Sequence, residues 1–201
     1  GNEGGSGTIA TPMKTVAVAI AWSALIWSPA SGAEPPSPLE PGQIQSRVKE
    51  GLAGIPALVA DLGRADWADW ADNCGDTRAA GLLTVTRDLA RQSVACARAF
   101  GEVLAAGATT ASQRLGILHG VAGLDRVPPV LYAGLVASLD DSHALNRMRA
   151  SEILARLGDR RAAAAVKSAM RREPDRSTKN RMAYHLFQLG DPEGDPLGLR
   201  R

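Results

Sequence analysis

Asp66, Trp67, Asp69, Trp70 and Asp72 place three carboxylates and two indoles at helical spacing in one short stretch. Acids that repel one another beside aromatic faces form a candidate site for a cation or a basic peptide. Equally, the two indoles can pack inward while the acids stay solvated. No Asp-x-Asp-x-Asp-Gly calcium loop accompanies them. His119, His143 and His185 are the only histidines, and none lies in a metal-ligand or protease motif. His119 and His185 fall on apolar stripe positions, where a packed, hydrogen-bonded imidazole is the plain reading; His143 falls in a hairpin turn and is expected to be exposed. An enzyme or maturation factor would draw on Asp66, Asp69 or His119. The chain shows no Ser-His-Asp order, nucleophile elbow, phosphate loop or pair of catalytic acids. No catalytic residue, metal or cofactor is therefore assigned.

The second concentration of reactive groups is basic. Arg147, Arg149, Arg156, Arg160 and Arg161 open a run of cations that continues through Lys167, Arg171, Arg172, Arg176, Lys179 and Arg181. Gathered on one face they would grip phosphates, so nucleic-acid binding is a third reading. Against it, the arginines scatter around their helices and no aromatics interleave with them. The acids concentrate earlier, at Asp61, Asp66, Asp69, Asp72 and Asp76, and the formal charge of +2 demands no polyanionic partner.

Residues 13 to 33 have the three parts of a secretory signal: Met13-Lys14, an apolar run over 16 to 27, then small residues at Ser31 and Ala33. Cleavage is expected after Ala33, giving a periplasmic or secreted protein without a stable membrane anchor, because the apolar run falls short of the about 20 residues a spanning helix needs. Residues 1 to 12 look like an upstream segment or linker with no fold of their own. Export makes Cys74 and Cys96, the only cysteines, a disulfide candidate. The alternative is two separate thiols, with Cys96 buried on an Ala-rich helix.

A length of 201 residues with 45% hydrophobic, 4% aromatic and 22% charged residues suits one globular domain. The abundance of Ala, Leu and Arg favours helices over strands. Residues 34 to 43 read as a proline-rich, solvated linker. The region 44 to 111 reads as irregular and helical: one kinked or two short helices over 44 to 62, then one long helix over 77 to 106 or two broken near Gly101. From 112 to 192 the pattern becomes regular. Ser112 is a candidate cap, and Gly123, Gly158 and Gly190 are candidate helix stops. Residues 193 to 201 form a tail.

The regularity is a repeat. Arg147-x-x-Ala150-x-x-x-Leu154-x-x-Leu157-Gly158-Asp159 is matched by Lys179-x-x-Met182-x-x-x-Leu186-x-x-Leu189-Gly190-Asp191, each preceded by an apolar helix. One helical hairpin cannot bury its own apolar face, so a fixed period of this kind calls for stacking. The pattern resembles HEAT repeats, in the short bacterial form also seen in phycobilisome lyase proteins. It is clear over about 125 to 192 and weaker before, where Ser112 stands for the basic residue. The resemblance implies an all-α fold, a short α-α superhelix with an irregular helical N-terminal half. It further implies a ladder in which an acid in each hairpin turn pairs with the basic residue opening the second helix: Asp141 lies six before Arg147, and Glu173 six before Lys179. Such proteins include scaffolds, adaptors and a few enzymes. With no catalytic constellation, the first expectation is an exported interaction module that docks a protein partner.

Overall fold

Proline at a helix's first position costs nothing, because that N–H has no intrahelical partner anyway. This is how the chain's ordered part begins. The computed structural model describes residues 39–65, 67 and 77–195, and its first helix, α1 (Pro41–Glu50), opens on Pro41. Glu40 and Gln43 cap it reciprocally: Gln43 Oε1 accepts from the Glu40 backbone N–H at 2.9 Å. The extended linker expected over 34 to 43 therefore gives way to helix at its last three residues, and Leu39 is already buried. Residues 1 to 12 and the signal segment, 13 to 33, lie outside the described residues.

Gly51 takes φ 57 to turn the chain through a 3-10 turn, Gly51–Gly54, into α2 (Ile55–Leu62). The second of the two readings for 44 to 62, a pair of short helices, is the one observed. Next come α3 (Thr77–Gln92) and α4 (Val94–Ala105). They part at Ser93, whose extended backbone and side chain cap α4 by accepting from the Cys96 N–H. Gly101, the expected break, sits inside α4 and is buried. Thr110, not Ser112, caps α5 (Ala111–Ala122), in a capping box with Gln113.

The chain goes on through the 3-10 turn Pro129–Leu131, α6 (Tyr132–Ala137) and the 3-10 turn Ser138–Asp140. Three helices complete it: α7 (Ala144–Leu157), α8 (Ala162–Arg172) and α9 (Arg176–Gln188). Gly158 adopts the left-handed stop, φ 70, and Gly190 has φ 89 just beyond α9. Gly123 does not: its φ of −78 is right-handed. A last 3-10 turn, Pro192–Gly194, is pinned to α8 where Arg171 and Lys167 meet Glu193 and Lys167 also reaches Asp191.

Among the described residues every regular element is helical. Contacts sort the helices into two rows. In one, α4 meets α6 and α6 meets α8; in the other, α3 meets α5, α5 meets α7 and α7 meets α9. Turns join α4 to α5, α6 to α7 and α8 to α9, and each of these pairs is also in contact. α1 packs on α3, and α2 on α3 and α5. The core fills the space between the rows with Phe100, Leu131, Leu135, Ile117, Ile153, Leu154 and Met182, all fully buried. Close approach within the first row comes from glycine: a Cβ on Gly134 would lie 2.3 Å from the carbonyl oxygen of Gly101. The region expected to be irregular thus contributes α4 and α3 to the same two rows.

Candidate functional site

Superposing the repeat on the contacts corrects its register in α5. Arg114, rather than Ser112, stands where Arg147 and Lys179 stand. Counting three, seven and ten residues on gives Ile117, Val121 and Leu124; Ala150, Leu154 and Leu157; Met182, Leu186 and Leu189. Those at three and seven are all fully buried. The spacing of 33 and then 32 residues was present in the sequence, but Gly123 imitated Gly158 and drew the alignment off.

The ladder runs between hairpins, not within them. Arg114 Nε lies 2.5 Å from Asp141 Oδ2, and Arg147 meets Glu173 through Nε and Nη2, both at 2.6 Å. Arg147 touches its own turn only through backbone, donating to the carbonyls of Asp141 (2.8 Å) and Ser142 (3.0 Å). Lys179 is exposed and has no ion-pair partner among the described residues. The pairs expected from the resemblance, Asp141 with Arg147 and Glu173 with Lys179, are therefore displaced by one hairpin. The reason is reach: a guanidinium already anchored on its own turn's carbonyls presents its free edge to the next turn's carboxylate. Asn146, fully buried, adds a second link by donating to both Ala111 O and Asp141 Oδ2 at 3.0 Å.

These contacts set protonation. Burial by itself would raise the Asp141 carboxyl, but hydrogen bonds from Arg114, the His143 backbone and Asn146, with the Arg114 charge, outweigh it and hold it below the usual range. Glu173 is likewise held low, first by the Arg147 hydrogen bonds.

The ladder's carboxylates are buried; two cavities lie along the second row. One, about 420 Å³, lies between α3, α5 and α7 and includes Arg87, His119, Arg149 and Glu152; the other, about 610 Å³, lies between α7 and α9 and includes Arg149, Glu152, Arg156, Arg181, Tyr184 and His185. Arg149 and Glu152 belong to both, as the wall between them. The corrected register explains the lining. Two residues after the basic position come Arg149 and Arg181, both in the lining, and Gly116, which instead packs against Trp67 and Leu62; five after come His119, Glu152 and Tyr184; nine after come Gly123, Arg156 and Gln188. Equivalent positions on α5, α7 and α9 thus supply much of both linings.

Of the expected acidic–aromatic site, only Trp67 is described. It is buried, donates Nε1–H to Leu62 O at 3.1 Å and stacks on His119 with ring centroids 5.9 Å apart. That is the packed reading of this indole. Asp66, Asp69, Trp70 and Asp72 lie outside the described residues. Burial, then the Arg149 charge, push the His119 imidazole down to about 4 against an opposing pull from Glu152, so it is neutral at pH 7. His143 is exposed, as expected.

His185 lies 2.8 Å from Ser151 Oγ through Nδ1. This is no nucleophile pair, because Ser151 is fully buried and donates its proton to Met148 O at 2.7 Å. The hydroxyl then accepts from Nδ1–H, which fixes the imidazole's tautomer. Cys96 is a buried free thiol, and Cys74, its expected disulfide partner, lies outside the described residues. No group of three or more His, Cys, Asp or Glu suited to a metal ion occurs among the described residues.

Most of the basic run is spent internally. Arg147, Arg149, Arg161, Lys167, Arg171 and Arg172 pair with carboxylates, and Arg156 Nη1 and Nη2 donate to the carbonyls of Ala122 and Leu124. Arg147, Arg161, Lys167, Arg171 and Arg172, neutralised by carboxylates outside the cavities, are therefore poorly placed to grip phosphates, which calls for cations standing free along one face.

The described chain is an all-helical protein built from paired helices in two rows. No protein-family model, curated protein or solved structure matches it.

Proposed function

We propose that this chain is a short HEAT-like α-solenoid, exported from the cell, that works as an interaction module and docks a protein partner along the face formed by α5, α7 and α9. The observation that carries the reading is the pair of cavities sharing Arg149 and Glu152, lined from matching positions of successive hairpins. Row-wise contacts support the solenoid, since α7 packs on α5 and α9 within its row and on α6 and α8 across it. The inter-hairpin ladder supports it too, each rung tying one unit to the next.

A photocrosslinking residue placed at Tyr184 and, separately, at exposed Ala164 of α8 tests this in cells that make the protein. Docking on this face yields a discrete crosslinked product from Tyr184 and none from Ala164. Absence of a discrete product from Tyr184 sinks the reading. Export is tested apart from it: the mature chain should begin near Glu34, and a mature chain that retains residues 13 to 33 rules export out.

A further inference from the structure

Resting on that docking reading, we infer that the cavity between α7 and α9 takes an acidic segment of the partner, its carboxylates meeting Arg149, Arg156 and Arg181 and an apolar side chain lying on Tyr184.

The charge in this cavity is unbalanced. Three guanidiniums face one carboxylate, Glu152, among the lining residues. Glu152 is engaged by Arg149 Nη1 at 2.6 Å. Arg181 is exposed and has neither hydrogen-bond nor ion-pair partner among the described residues. Arg156 is held by two backbone carbonyls, which fix its guanidinium without neutralising it. A cation positioned in advance loses little freedom when a carboxylate arrives. By contrast Lys167 and Arg171 share Asp191 and Glu193, and Arg147 has Glu173.

Arg149 carries the second mark. Its Nε is buried with no hydrogen-bond partner. An unsatisfied donor of this kind costs free energy, more so on a charged group. Arg149 also stands at the same repeat position as Arg181, so the two guanidiniums lie on neighbouring helices of one face. A chain crossing from α7 to α9 meets both.

Tyr184 decides between a peptide and a nucleic acid. It is 53% exposed, one of the few large apolar-bodied side chains left in water, and it packs edge-on against His185. A tyrosine beside arginines is the composition of a protein-binding hot spot. Single-stranded nucleic acid needs successive aromatic platforms, and this cavity offers one. Glu152 repels phosphates and carboxylates alike, but a peptide also brings backbone N–H groups that it can accept, which a nucleic-acid backbone lacks. An acidic segment with an interspersed apolar residue meets the exposed guanidiniums and Tyr184 together.

The test is fluorescence anisotropy on the full chain with a fluorescein-labelled peptide of glutamates flanking a Leu and a Phe. The same peptide with Gln for every Glu, and a labelled oligothymidylate, complete the set. The Glu peptide should bind about tenfold or more tighter than the Gln peptide, and more weakly as salt rises. R181E and R149Q should each weaken it about tenfold, Tyr184→Ala less, and R160E, outside the groove, should leave it unchanged. Circular dichroism verifies that each variant is folded. Equal binding of the two peptides, no binding of either, or an R181E effect no larger than that of R160E overturns the inference. Tighter binding of the oligothymidylate, lost in R181E, overturns it in favour of nucleic acid. If the Tyr184 crosslink forms while the peptides fail, docking stands and only its acidic chemistry falls.

Discussion

Arg147 and Glu173 belong to successive helical hairpins and join through two parallel hydrogen bonds of 2.6 Å, with the Glu173 side chain fully buried. A bidentate guanidinium–carboxylate pair fixes both distance and angle between the elements that carry it. Here it sets how α7 is placed against the turn ahead of α9. Glu173 Oε1 also accepts from the Asp175 N–H, whose own carboxylate caps α9 on Thr178. One buried acid therefore organises a turn, a helix start and the adjoining unit.

Glu173→Gln should destabilise the protein by roughly 3 kcal/mol, because it leaves the Arg147 charge in a poorly solvated site facing an amide that donates as well as accepts. Replacing both partners, Arg147→Met with Glu173→Leu, should recover much of that loss, since the desolvation cost disappears along with the attraction. Urea denaturation measures both. A single substitution within about 0.5 kcal/mol of the parent would show that the pair contributes little to stability, as exposed pairs do.

Two glycines predict opposite orders of damage for opposite reasons. At Gly134 an added methyl would meet the Gly101 carbonyl oxygen at 2.3 Å and its Cα at 2.8 Å, and neither backbone can swing aside. Gly134→Ala should cost about 3 kcal/mol or more by forcing α4 and α6 apart. At Gly158 the added methyl meets nothing, and the cost is that of a left-handed φ of 70, about 1 kcal/mol. Thermal melts of the two variants rank them. Equal losses would mean that the α4–α6 crossing is looser than the structure has it.

That contrast also shows what the chain disclosed beforehand. The end of α7 and the turn after α8 were legible because Gly158 and Glu173-Pro174-Asp175 act locally, through φ preference and side-chain capping; Asp159 instead accepts from the Arg161 N–H two residues on, and α8 begins without a side-chain cap. Gly101 misled for the same reason; Gly123 does end α5 and misled only over the repeat's register. A glycine needed for close packing looks identical to one needed for a turn, and Gly101 serves packing: it faces the backbone at Val130. The ladder's acids were recognised, but their partners lie 26 and 27 residues away and depend on how far one hairpin is offset from the next. The groove was not legible at all. Arg149, Glu152 and Tyr184 become a face only when α7 and α9 lie side by side, and within either helix they read as ordinary solvated positions.

Acid should unfold the protein in two stages. His119 has an unfolded value of about 6.5 and a folded value of about 4, lowered by burial, then by Arg149, with Glu152 opposing. His185 is lowered in the same direction, chiefly by burial. Between those two values the unfolded chain binds protons that the folded chain excludes, so stability declines as pH falls through that window. Asp141 and Glu173 act later. Their carboxyls sit below the usual range in the folded state, so their contribution is complete above about 4 and disappears as pH drops further, through their folded values. Urea midpoints taken from about pH 7 down to about pH 3 should trace a shallow decline and then a steeper one. His119→Gln should flatten the upper stage without moving the lower, because an amide has no proton to take up there. If the His119→Gln midpoint falls between about pH 7 and 5 as steeply as that of the parent, the imidazole stacked on Trp67 is not the group that resists protonation.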